Sequence, residues 1–332
     1  MTTKTDRLDS TIARLAPVRD ADVHDGVDSA HAQALLAEIL GSPRESVATR
    51  RRVPRALQVA VAALVAVGAA VAGALTLAGS HGTATASAAP VLRHAAAVAR
   101  MQAPVRLAAG EFLYTKSVDA YLDTTVESGH VYAALVPHVR ESWIGPTGGR
   151  VLQTSGAPTF LSDHDREAWI AAGRPSVFGA NAVMDEPLDA SHPLDLPANA
   201  DALQARLKHD AAHFGERLNA EIFVLIGDSL RETNASPAQR AALYTVASRL
   251  PGVQLVGDVK DRAGRPGIAV SLPDDVNRTR DTLVFDPQTS VLLEEEEVTL
   301  AGNSFGYPAG TTIGHSTYIQ TAVVSAIGTR PK

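Results

Sequence analysis

The sequence predicts an α+β fold: a single transmembrane helix, then an exported domain in which a curved antiparallel sheet is packed by helices. Three observations predict it. Ala56 to Gly79 reads ALQVAVAALVAVGAAVAGALTLAG, an uncharged apolar run that as a helix rises ~1.5 Å per residue and so spans a hydrocarbon core of about 30 Å. Short alternating runs bounded by turn residues fill both ends of the remaining chain. Between them lie three segments of helical periodicity.

Residues 1–55 form the first segment, and the apolar run at 56–79 sets its side of the membrane. Arg50, Arg51, Arg52 and Arg55 precede the run, whereas Ser80 to Pro90 carries no Lys or Arg. The positive-inside rule therefore places residues 1–55 in the cytoplasm and the rest outside. Ala86-Ser87-Ala88 resembles a signal-peptide cleavage site, but the leader before the apolar run is too long for one, and the run exceeds the usual length of about 7–15 residues. Thr49-Arg50-Arg51 hints at a twin-arginine signal, which Pro54 and Arg55 then contradict by standing where apolar residues belong. Within the cytoplasmic segment, Leu35, Leu36, Ile39 and Leu40 form one stripe of a helix starting at Ser29 and stopping at Gly41-Ser42-Pro43. So short a segment cannot bury that stripe alone. It is either a loosely structured tether or a helix that docks on a cytoplasmic partner.

Residues 80–109 read as a small-residue linker followed by an Ala-rich helix from Ala89 to Met101, leading into a domain at 110–332. Its first strands are Glu111 to Val118, Tyr132 to Ile144 and Arg150 to Thr154, the last two joined across Gly145-Pro146-Thr147-Gly148-Gly149. A helix capped at Ser162 or Asp163 runs to Ala172, and Val177 to Pro197 reads as a long surface loop. Helices follow at Asp201 to Asn219, Ala220 to Arg231 and Pro237 to Leu250. The last opens with Ser236 as N-cap, Pro237 at the first helical position and Gln239 closing a capping box. From Gly252 the period becomes that of strands, at Val253 to Val259, Gly267 to Leu272, Asp281 to Phe285, Val291 to Leu300 and Thr317 to Ala326.

Composition excludes several functions. The apolar fraction of 45% in 332 residues supports a sizeable core, and a net charge of -6 with no basic patch beyond the juxtamembrane arginines argues against nucleic-acid binding. With no cysteine, an exported domain holds together by packing alone. There is no Gly-x-Ser-x-Gly, P-loop or dinucleotide fingerprint, so the sequence names no catalytic residue, cofactor or metal.

Four clusters invite a chemical reading. His209 and His213, four apart on the expected helix, lie off its apolar stripe and lack a third ligand, which favours a solvated flank over a zinc site. Glu294 to Glu297 split two to each face of a strand, which suits a charge-protected edge strand better than a calcium cluster. Asp163-His164-Asp165 is explained by the helix dipole. Phe112, Trp143, Trp169 and Phe285 are either core aromatics or the lining of a groove for an apolar ligand.

The stretches GEFLYTKS (Gly110 to Ser117), IFVLIGDSLRET (Ile222 to Thr233), LPGVQLVGDVKDRAGRPGIAV (Leu250 to Val270) and LVFDPQTSVLLEEE (Leu283 to Glu296) carry a resemblance spanning nearly the whole chain. With the basic lead-in and membrane helix, the chain resembles a family of uncharacterised actinobacterial single-pass membrane proteins, often encoded beside extracytoplasmic-function sigma factors. The resemblance implies a part in transmembrane signalling, with a sigma factor as cytoplasmic partner. The domain is also more weakly similar to lipoprotein-carrier-like domains. The chain departs from anti-sigma factors in lacking their zinc-binding His and Cys pattern. The expectation is a non-enzymatic bitopic membrane protein whose exported domain senses or binds a ligand. The alternative is a membrane-tethered carrier of lipid or another apolar molecule.

Overall fold

The computed structural model describes residues 87–127, 130–146, 148–174, 182–188, 196–232 and 235–331. The transmembrane expectation at 56–79 and the stripe Leu35, Leu36, Ile39 and Leu40 lie outside these residues. Among the described residues, no helix is long and apolar enough to cross a membrane.

Nine strands form one open antiparallel sheet: β1 (Phe112–Glu127), β2 (His130–Gly145), β3 (Gly148–Ser155), β4 (Val183–Leu188), β5 (Gln254–Lys260), β6 (Pro266–Asp274), β7 (Thr279–Phe285), β8 (Leu292–Thr299) and β9 (Thr312–Val324). Their spatial order is β4-β3-β2-β1-β9-β8-β7-β6-β5. Two meanders thus meet where β1 pairs with β9, and β4 and β5 are the edges. The helices are α1 (Ala89–Met101), α2 (Asp163–Ala171), α3 (Ala200–Asp210), α4 (Leu218–Glu232) and α5 (Pro237–Ala247), with a 3-10 turn at Ala212–Arg217.

The α+β architecture of helices on an antiparallel sheet is as the periodicity predicts. Its main core lies between the sheet and four helices. Leu92, Ala95, Ala96 and Ala99 of α1 are buried against α5, whose own Ala241 and Ala242 let the two backbones approach. Helix α1 is therefore part of the domain's core, which reaches back at least to Ala88. Leu203 and Leu207 of α3 and Ile222, Phe223 and Ile226 of α4 complete the helical side. Val270, Leu272, Leu283, Phe285 and Leu292 supply the sheet side. The capping box of α5 forms: Ser236 Oγ accepts from Gln239 N at 3.3 Å, and Ser236 N donates to Gln239 Oε1 at 2.8 Å. Tyr244, fully buried on α5, donates its hydroxyl to Ser290 O at 2.7 Å.

Away from this core, the C-terminal tail is pinned to β1 and β2. Trp143 Nε1 donates to Thr329 O at 2.8 Å, Arg330 grips Glu141 through two bonds of 2.6 and 2.7 Å, and Tyr114 donates to the same carboxylate.

Three expectations need correction. The segment 177–197 is not all loop, because Val183–Leu188 adds an edge strand to β3. Its sequence, VMDEPL, has no apolar alternation and includes Pro187, which only an edge tolerates, so strand grammar missed it. The helix expected at Asp201 to Asn219 stops at Asp210; Gly215, at φ 56°, ψ -117°, breaks the backbone before α4. Finally, Glu294 to Glu297 lie not on an edge but in β8, between β7 and β9 near the middle of the sheet. Arg262 pairs with Glu294 and Glu296 on one face and Arg231 lies 3.7 Å from Glu295 on the other.

Candidate functional site

Residues directly opposite in an antiparallel ladder share a face, so the register maps what each side of the sheet presents. On the face toward α4, one row runs Ser155, His138, Asp119, Ser316, Glu295 and Leu283 across β3, β2, β1, β9, β8 and β7. The next row runs Tyr121, Gly314, Glu297 and Asp281. Toward β6 this face is apolar and closed by the core. Toward β1 it turns polar and leaves a cavity of about 500 Å³ beneath α4.

Helix α4 reaches the sheet through Gly227, where a Cβ would stand 3.1 Å from Glu295 Oε1 and from Leu283 Cδ2. Arg217, Glu221, Asp228 and Arg231 line the cavity from the helical side, and Asp119, Arg140, Asp281, Glu295 and Glu297 from the strands. Carboxylates outnumber guanidiniums, and some of the guanidinium charge is already committed. Arg217 holds Asp274 at 2.7 Å, outside the cavity lining, and Arg231 holds Asp228 at 2.5 Å with Glu295 3.7 Å away.

Burial raises four of the carboxyls that line this site, Asp119, Glu221, Asp281 and Glu297. Burial pushes Asp119 up, against hydroxyls donated by Ser117 at 3.0 Å and by Ser316. Burial also raises Asp281 well above the usual carboxylate range, and its neighbours Glu297, Asp274 and Glu295 add to the rise. Among the described residues no donor bonds Asp281. A carboxyl raised in the fold opposes folding once ionised, so this strain grows as pH climbs from the ordinary carboxylate range through the raised value. A cation entering the cavity would relieve it.

The aromatic residues singled out from sequence do not share a groove. Phe112 and Trp143 meet in a small cluster with Tyr114 and Val324, Tyr114 and Trp143 having ring centroids 5.4 Å apart. Trp169 sits with Phe160 over Tyr132, Ala134 and Val136, and Phe285 belongs to the main core against Tyr244. Both histidines of the pair are exposed, His209 on α3 and His213 on the 3-10 turn beyond its end. Among the described residues no group of three or more His, Cys, Asp or Glu is arranged to hold a metal ion. Ser162 Oγ caps α2 by accepting from Asp165 N at 3.1 Å, which accounts for the acids there.

Sequence reasoning did not find Asp119, Asp281 or Arg231. A signal existed for the first: Ser117, Asp119 and Tyr121 place polar groups at every second position of a strand, on what becomes its helix-facing side. No family model, curated protein or solved structure matches the chain.

Proposed function

We propose that the chain is a non-enzymatic, single-pass membrane protein whose exported domain binds a small, positively charged polar ligand beneath α4. Its cytoplasmic segment then reports occupancy to a partner at the inner face of the membrane. The observation that carries the ligand half is the cavity of about 500 Å³ with its excess of carboxylates, four of them shifted upward by burial. Its volume falls within the range of about 300–1,000 Å³ common for small-molecule sites. A polar, acid-rich lining suits a cation better than the apolar cargo of a carrier.

Titrating the full-length protein in nanodiscs with putrescine and arginine tests this by calorimetry. Saturable binding is expected, with citrulline, the neutral counterpart of arginine, about tenfold weaker or worse, and Asp281→Asn losing about tenfold. Because a bound cation favours the ionised form of Asp281, affinity should strengthen as pH rises from 5 to 8. Equal binding of citrulline and arginine would sink the reading.

The signalling half rests on the sequence, on Leu35, Leu36, Ile39 and Leu40 and on the likeness to proteins encoded beside sigma factors. Crosslinking pull-downs from native membranes should recover a sigma factor with the full-length chain and not with a version lacking Met1 to Pro43. Recovery of the same cytoplasmic proteins by both versions would leave that segment a mere tether.

A further inference from the structure

Arg231 also borders a second cavity, of about 210 Å³, with a different character. Leu113, Leu230, Val291, Leu292 and Tyr318 form part of its wall, and Thr115 and Thr321 add hydroxyls. One charged group enters it from α5, Arg240. Three other arginines at the domain's interior, Arg217, Arg262 and Arg265, each hold a carboxylate at 2.5 to 2.7 Å. Arg240 has no carboxylate partner among the described residues, and its Nε is buried without a hydrogen bond. Burial depresses its pKa, yet a guanidinium stays protonated at any physiological pH. The cation is therefore held, unpaired, at the border of an apolar space.

Its position on the helix sharpens the point. Arg240 stands one turn into α5, whose first turn carries no acid, so the positive end of the helix dipole adds to the guanidinium's charge. Both favour an anion at that spot, and the described residues supply none. The remaining walls are mainly hydrocarbon apart from Arg231, Tyr318, Thr115 and Thr321, and the volume lies below the range usual for drug-sized ligands.

We propose that this cavity is a second binding site, for a small carboxylic acid with a compact apolar body, its carboxylate paired with Arg240 and its hydrocarbon laid against Leu113, Leu230 and Leu292. The two cavities share Arg231 at their border but differ in what they take: one a cation among carboxylates, the other an anion on Arg240. A guanidinium and a carboxylate pair through two parallel bonds, which fixes orientation as well as charge.

The probe is sodium octanoate, titrated by calorimetry into the full-length protein in nanodiscs, with Arg240→Met in identical nanodiscs subtracting uptake by lipid. Saturable one-to-one binding is expected for the wild type. A loss of about tenfold or more is expected for Arg240→Met, with Arg240→Lys between the two. Octanol, with the same body and no charge, should bind at least about tenfold more weakly than octanoate. Inorganic phosphate, an anion without a body, should also be weak. The unliganded Arg240→Met protein should melt no lower than the wild type, because it loses an unpaired, partly buried charge. Equal affinity for octanol, phosphate as strong as octanoate, unchanged binding by Arg240→Met, or a clearly lower melting point for that variant would each overturn the proposal.

Discussion

Replacing Arg262 with methionine is expected to destabilise the domain by about 3–5 kcal/mol, the cost of leaving buried carboxylates without their cation. The turn between β5 and β6 brings Arg262 over the face of β8 that points away from α4. There its backbone N–H donates to Glu294 Oε2 at 2.6 Å, its guanidinium holds Glu296 Oε1 at 2.6 Å, and its Nε lies 3.7 Å from Glu294 Oε1. Glu294 is fully buried and Glu296 is 5% exposed. Thr317 and Thr312 hydroxyls donate to the two carboxylates at 3.0 and 2.9 Å, which satisfies lone pairs without supplying charge. His315 pairs with Glu296 in register, but burial and then the Arg262 charge push its pKa down to about 4, so in the wild type it is neutral near pH 7 and adds no charge to the cluster.

The sign with pH follows from Glu294. Burial raises its pKa, while the Arg262 N–H and charge pull it down. Without Arg262 it rises further, so ionisation in the unfolded chain draws the equilibrium toward unfolding as pH climbs above the ordinary carboxylate range. The deficit should be full near pH 8 and shrink toward pH 4. In a domain of this size it amounts to a fall in Tm of about 10 °C. Adding Glu294→Gln and Glu296→Gln to Arg262→Met should recover most of the loss; a single variant that melts like the wild type would show the cluster to be idle.

That cluster also shows where sequence reading stops. The alternation of a strand places Glu294 and Glu296 on one face and Glu295 and Glu297 on the other, and the structure keeps that division. What the alternation cannot say is which strands flank β8. Four consecutive glutamates look like a solvated edge until β9 is known to cross back and pair on one side while β7 pairs on the other. Helix and strand periods are local, so α1, α4, α5 and every strand but β4 were legible. The capping box of α5 was legible in its details. Contacts between residues far apart in sequence were not. Asp119 and Ser316 meet only because the first and last strands pair, and Asp281 is raised by burial and then by acids from β6 and β8 that no window around it contains. Arg240 gave no signal at all, since an arginine in a first helical turn looks like a surface residue until no partner is found.

The same limit separates Phe285 from Trp169, both read from sequence as core or groove. Phe285 is 1% exposed and stacks on Tyr244 with ring centroids 5.3 Å apart, inside the core between α5 and β7. Phe285→Ala should therefore cost about 3–5 kcal/mol, transfer and cavity contributions together. Trp169 is only half-buried, on the short helix α2, against a separate cluster. Trp169→Ala should cost less, and chemical denaturation of the two variants checks the order. The double variant is the sharper measurement. Side chains in unconnected clusters share no partner, so their costs should add to within about 0.5 kcal/mol. A larger coupling would mean that the two rings respond to a common space, as they would across one groove. Additivity would leave Phe285 as packing and move the search for a ligand to the polar cavity beneath α4.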